Sequence, residues 1–171
     1  HSLRATIKKD RDLGYLPFCV IGAAGTTNTG AIDDLNALAD ICQEEDLWFH
    51  VDGAYGGFAA ALPDASDDLR AVAEADSVAV DPHKWLYAPL EVGGALLKNP
   101  QALPGAFSYH PPYYHFGEHL TNFFDRGPQN SRGFRALKVW LAIRQVGAAG
   151  YRTMIADDIA LASALGDAVE R

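Results

Sequence analysis

An α/β fold with a mostly parallel sheet and flanking helices is what this 171-residue chain predicts, on three observations. Two short, mostly apolar runs, Leu47-Trp48-Phe49-His50-Val51-Asp52 and Asp76-Ser77-Val78-Ala79-Val80-Asp81, each end in an acid. Each is preceded by a helix-like segment, and strands alternating with helices read as βαβ units whose ligands lie beyond the carboxyl ends of the strands. A composition of 49% hydrophobic and 21% charged residues can bury a substantial core, which excludes a disordered tail.

The elements follow in order. The chain opens on His1 and runs directly into a helical segment holding Leu3, Ile7, Lys8, Lys9 and Arg11. Pro17 to Ala23 reads as a buried strand that empties into Gly25-Thr26-Thr27-Asn28-Thr29-Gly30-Ala31. Asp33 or Asp34 then caps a helix in which Leu35, Leu38, Ala39 and Cys42 follow i, i+3, i+4, i+7 spacing. Strand 47–52, a Gly-rich turn at Gly56-Gly57, a short helix near Leu69 to Ala75, strand 76–81 and a last strand at Gly93 to Leu97 continue the pattern.

Between Pro100 and Gln129 the pattern changes to a Pro- and aromatic-rich stretch with Phe107, Tyr109, His110, Pro111, Pro112, Tyr113, Tyr114, His115 and Phe116. A loop of that length in a compact domain is usually functional or mobile. Phe134, Leu137 and Leu141 mark one face of a helix from about Ser131 to Gln145, and Gly147 to Gly150 reads as a hinge before a final helix that runs to Glu170-Arg171.

The formal net charge of −8 is uneven: residues 33–81 hold thirteen acids and only Arg70 as a base, whereas residues 98–152 hold seven bases and two acids. That sign argues against nucleic acid as a partner of the whole chain. Arg126, Arg132, Arg135, Lys138 and Arg144 read either as a solvated helix face or as contacts for acidic segments or substrate. Cys19 and Cys42 have no metal-like spacing and suit small core positions, so no metal is expected and a reducing cytoplasm is the simplest compartment. No run approaches the length of a membrane span, and no secretory pattern is visible.

Lys84, in Asp81-Pro82-His83-Lys84-Trp85-Leu86, lies 32 residues after Asp52 of His50-Val51-Asp52-Gly53-Ala54-Tyr55-Gly56-Gly57. A Lys between His83 and Trp85, just past a buried strand, is awkwardly placed for an ordinary surface ammonium. A Lys amine can hold an aldehyde cofactor as a Schiff base, and a carboxylate against a pyridine nitrogen keeps that nitrogen protonated. The pair therefore suggests pyridoxal phosphate, with Asp52 as an ordinary turn or cap residue the alternative.

These motifs, with Gly25 to Ala31, Pro111-Pro112-Tyr113 and Ser131-Arg132-Gly133-Phe134-Arg135-Ala136-Leu137-Lys138, resemble the group II pyridoxal-phosphate-dependent amino acid decarboxylases. That family includes the aromatic amino acid, tyrosine, glutamate and diaminobutyrate decarboxylases, and the resemblance runs through nearly the whole chain. It implies the large domain of the type I (aspartate aminotransferase-like) fold over residues 1–146 and the start of a small C-terminal domain over 147–171. It implies pyridoxal 5'-phosphate as a Schiff base on Lys84, with Asp52 on the pyridinium, Ala54 on a ring face, and Thr27, Asp81 and His83 as further contacts.

The resemblance also implies that Tyr113, on a mobile loop, protonates the carbon that has lost CO2, with adjacent Tyr114 an open alternative in the alignment. Lys84, His83 and Tyr113 are thus the candidate catalytic residues. The family often reads Asp-Ala-Ala at Asp52-Gly53-Ala54 and Arg-Arg-Phe-Arg at Arg132 to Arg135. A homodimer with shared sites is implied, as are a phosphate-binding loop and a ring-stacking His before residue 1 and further small-domain segments after Arg171. The reaction expected is decarboxylation of an amino acid to its amine. The aromatic loop favours an aromatic substrate, and Arg132 and Arg135 leave an acidic one open. The alternatives are an aldehyde synthase or other lyase of the same fold, and a catalytically silent fragment contributing dimer surface.

Overall fold

The computed structural model describes residues 2–114 and 120–170. His1, Arg171 and, in the aromatic stretch, His115 and Phe116 lie outside the described residues. The chain forms two compact units, one of residues 1–96 with 135–171 and one of residues 97–134.

The first unit is built on a four-stranded sheet of β1 (Cys19–Ala23), β2 (Trp48–Asp52), β3 (Ser77–Val80) and β4 (Gly94–Leu97) in that spatial order. β1, β2 and β3 run parallel, with Ala23 opposite Asp52 and Asp52 opposite Ala79, so their carboxyl ends share one rim as expected. β2 alternates as a half-covered strand does: Phe49 and Val51 are buried while Trp48 and Asp52 are exposed. The polar atoms of β2 find partners on β3, since Trp48 Nε1 donates to Ser77 Oγ at 2.8 Å and His50 Nδ1 meets the same oxygen at 2.7 Å.

Helix α1 (Ser2–Asp12) buries Ile7, and its Arg4 and Arg11 pair with Glu44 and Glu45 of α2 (Leu35–Glu45). The two capping candidates divide the work. Asp34 is the N-cap and accepts from the Ala37 N–H at 3.0 Å, whereas Asp33 accepts from the Ala23 N–H at 2.8 Å and ties the helix entry to β1. The expected helix near Leu69 is α3 (Asp67–Arg70) continued by a 3₁₀ turn, Ala71–Glu74, and Ser66 caps it. A further 3₁₀ turn, Gly57–Ala61, follows β2. Leu35, Val51 and Ile155 are the largest fully buried side chains, and burial of each contributes about 1.5–3 kcal/mol.

The last long helix corrects one expectation. It begins at Ala136, not near Ser131, so Phe134 lies in the irregular segment before it and is 75% exposed. Leu137 and Leu141 are on the helix but also exposed; the residues that α5 (Ala136–Val169) buries are Tyr151 and Ile155. The expected break is present at Gly147, whose φ of 72° and ψ of 166° only glycine adopts easily. Among the described residues no helix is long and apolar enough to cross a membrane.

The second unit holds α4 (Ala102–Phe107) and a 3₁₀ turn, Phe123–Arg126, within the stretch read from sequence as loop. Pro104 and Gly105 disguise α4 in the sequence, yet a proline is tolerated in a first turn, where its missing N–H has no intrahelical partner to lose.

Candidate active site

Asp52 ends β2, and its Oδ1 accepts from the Ala54 N–H at 3.1 Å, which bends the chain away while leaving the carboxylate exposed on the rim. One strand further, β3 ends at Val80 and a turn begins. The Lys84 N–H donates to the Asp81 carbonyl at 2.9 Å, and Lys84 Nζ lies 3.0 Å from Asp81 Oδ2. Asp81 therefore meets the lysine amine directly, a contact that its expected role beside the cofactor did not include. His83 Nδ1 approaches the Val92 carbonyl at 2.6 Å, so the half-buried ring is fixed by the chain that leads to β4.

Thr27 is exposed on the turn after β1. That turn is fixed by its neighbours: the Thr26 and Thr29 hydroxyls lie 2.8 Å apart, and Thr26 Oγ1 accepts from the Ala31 N–H at 3.1 Å. Thr27, Asp52, Ala54, Asp81, His83 and Lys84 all lie beyond the carboxyl ends of β1, β2 and β3. Tyr113 belongs to the second unit.

Two features here were not legible in the sequence. Tyr55 stacks on Trp85 with centroids 5.5 Å apart and planes inclined by 27°, so the turn after Asp52 and the turn around Lys84 touch through their aromatic residues. The second is a backbone contact between the first two loops. A Cβ on Gly56 would fall 2.5 Å from the Ala24 carbonyl oxygen, and one on Gly25 would fall 2.9 Å from the Gly56 Cα, with Gly25 at φ +87°. Gly56→Ala is expected to destabilise the protein by about 1–3 kcal/mol through overpacking. Its thermal midpoint should fall by several degrees, and an unchanged midpoint would show that these loops do not meet.

Within the second unit, Phe107, Tyr109, Tyr113, Tyr114, Phe124 and Pro128 line a cleft of about 270 Å³. Tyr114 is anchored there, since its phenol oxygen accepts from Asn130 Nδ2 at 3.1 Å and its ring lies edge-on to Phe124 at 5.7 Å. Tyr113 is 74% exposed. Ser108, His110 and Asp125 also meet, but Ser108 Oγ and His110 Nε2 both turn to Asp125 Oδ1, at 2.9 and 2.8 Å. The imidazole is thus not aimed by the acid at the serine, and the cluster is no hydrolytic triad.

An amine and an exposed carboxylate on one rim, with the small Gly53 and Ala54 beside them, form the donor set that an aldehyde cofactor with a basic ring nitrogen requires. The chain belongs to the pyridoxal-dependent decarboxylase family, whose conserved domain it matches over residues 1–171. It is 46% identical over 165 residues to an aromatic-L-amino-acid decarboxylase of Bacillus atrophaeus, covering 94% of this chain and 34% of that protein. It is 35% identical over 162 residues to a 4-hydroxyphenylacetaldehyde synthase of Rhodiola rosea, covering 95% and 33%. The fold matches Oryza sativa TDC, solved with PLP and tryptamine, at a TM-score of 0.88 and 31% identity over 96% of this chain and 34% of that one. The chain thus has the α/β architecture of the type I PLP decarboxylases and spans about a third of the length of the curated relatives it matches.

Proposed function

We propose that the protein of which this chain is part decarboxylates an aromatic L-amino acid to its amine, with pyridoxal 5'-phosphate held on Lys84. The observation that carries the reading is the delivery of Asp52 and the Lys84 turn to one rim, joined by the Tyr55–Trp85 stack. When bound, the cofactor supplies an electron-accepting ring that takes up the pair left by departing CO2. Lys84 supplies the amine that retains it, and Asp52 holds the proton on its ring nitrogen. Ala54 leaves room at a ring face, Thr27 is a further contact, and Asp81 and His83 hold the lysine turn. Tyr113 delivers the proton to the substrate carbon that has lost its carboxylate.

The aromatic substrate is supported by the 46% identity to the Bacillus decarboxylase. A homodimer with shared sites fits the exposed apolar residues Leu137, Trp140 and Leu141 of α5, and a cytoplasmic setting fits two free cysteines. Residues 1–146 are assigned to the large domain and 147–171 to the start of the small one, divided at the Gly147 break. An aldehyde synthase is the second reading, supported by the 35% identity to the Rhodiola enzyme.

The test is borohydride reduction of the intact protein with pyridoxal phosphate, peptide mass mapping, and product analysis with aromatic amino acids. Cofactor trapped on Lys84 and an amine product are expected; trapping on another lysine overturns the site, and aldehyde as the main product overturns the reaction.

A further inference from the structure

The turn that presents Lys84 is held from behind by the part of α5 that follows Gly147. Within the turn, the Tyr87 N–H donates to the Lys84 carbonyl at 3.1 Å and the Ala88 N–H to the Pro82 carbonyl at 3.1 Å. Tyr87 takes φ +50°, a left-handed conformation that a bulky residue adopts only when its surroundings impose it. The Tyr87 phenol also donates a hydrogen bond to Asp158 of α5. One residue earlier, the Leu86 carbonyl accepts from the Tyr151 hydroxyl at 2.9 Å, and Tyr151 is only 6% exposed.

Tyr151, Ile155 and Asp158 are spaced i, i+4, i+7 and so share one helix face, with Ile155 at 2% exposure seated in the hydrophobic core between the two polar anchors. Arg152 Nε donates to the Ala61 carbonyl at 2.9 Å, which ties the same helix to the 3₁₀ turn that follows the Asp52 loop. One helix segment therefore contacts both the lysine turn and the 3₁₀ turn that follows the Asp52 loop, and Gly147 lets it take its own direction relative to residues 136–146.

We propose that this segment is a strap that sets the geometry of the lysine turn, with Tyr151 and Asp158 as positioning residues for Lys84. The proposal rests on the assignment of Lys84 as the cofactor lysine. Neither residue touches the cofactor or substrate; they act through Leu86 and Tyr87. The Asp158 carboxylate, which accepts from the phenol, and burial together push Tyr87 up to about 12, so this anchor stays intact through neutral and moderately alkaline pH. Charged and titratable groups of the lysine turn include Asp81 at 3.0 Å from Lys84, His83 next in the chain and Tyr87, whose N–H bonds the Lys84 carbonyl, and Asp52 ends the neighbouring strand.

The test uses the intact protein with Tyr151→Phe, Asp158→Asn and Ile155→Val. The readouts are the pH midpoint of the lysine–cofactor absorbance, the acylation rate of Lys84 in cofactor-free protein, and kcat and KM measured separately. Tyr151→Phe and Asp158→Asn are expected to move the midpoint, to change the acylation rate, and to lower kcat by roughly tenfold at nearly constant KM. Ile155→Val loosens the same helix face without touching either hydrogen bond, so it should lower the thermal midpoint and leave the other readouts at wild-type values.

If Tyr151→Phe and Asp158→Asn alter only thermal stability, or if Ile155→Val moves the absorbance midpoint as they do, the positioning role is overturned. Wild-type protein that traps no cofactor on Lys84 overturns the lysine assignment, and the proposal with it. Trapping on Lys84 with unmoved profiles in the variants overturns the strap alone.

Discussion

Lys84→Ala in the intact protein is expected to abolish borohydride-trapped cofactor and to lower turnover by at least about 10⁴-fold, more than a single acid–base group usually contributes. The loss should come without unfolding. The Lys84–Asp81 pair is partly exposed, with 31% and 26% of the two side chains open to solvent, and such pairs contribute about 0–1 kcal/mol. The lysine turn keeps its other anchors, namely the backbone bond from Ala88 to Pro82, the Tyr55–Trp85 stack and the Tyr151 hydroxyl on Leu86. A thermal midpoint within a few degrees of wild type, together with lost absorbance and lost product, separates a chemical role from a structural one. Turnover within about tenfold of wild type would remove Lys84 from the reaction.

The parts of this site that could be read in advance are those written locally. Two short, mostly apolar runs that close on Asp52 and Asp81, separated by helices, place Asp52 and the Lys84 turn side by side from the sequence alone. A cap at Asp33 or Asp34 is legible because capping is a contact with the next turn of the same chain, and Asp34 takes it. What escaped were contacts between distant residues. Tyr151 reaches Leu86 across 65 positions and Arg152 reaches Ala61 across 91, and neither leaves a period or spacing in the sequence. The Tyr55–Trp85 stack is of the same kind. The apolar face read from Phe134, Leu137 and Leu141 failed for a related reason: periodicity reports which residues share a side of a helix, but not what lies against that side. Helix α4 escaped because Pro104 and Gly105 look like loop residues wherever they stand.

Tyr113→Phe is expected to slow amine formation by about 10²–10⁴-fold, the usual contribution of a positioned proton donor, and to divert product toward aldehyde, ammonia and CO2. The choice of Tyr113 over Tyr114 rests on how the two rings are held. Tyr114 is pinned, with its phenol oxygen on Asn130 and its ring against Phe124, while Tyr113 stands edge-on to it at 5.1 Å and is 74% exposed. Tyr114→Phe should loosen the Asn130 contact yet still give amine. Aldehyde formation from an amino acid is a two-electron oxidation, so an oxidant must accept the electrons that a proton would otherwise have quenched. The diverted product of Tyr113→Phe should accordingly require dioxygen and appear with hydrogen peroxide. Under anaerobic conditions the variant should release little of either product, whereas the wild type should be indifferent to oxygen. An unchanged ratio of amine to aldehyde in Tyr113→Phe would assign the proton to another group, and a diverted ratio in Tyr114→Phe alone would shift the donor by one residue.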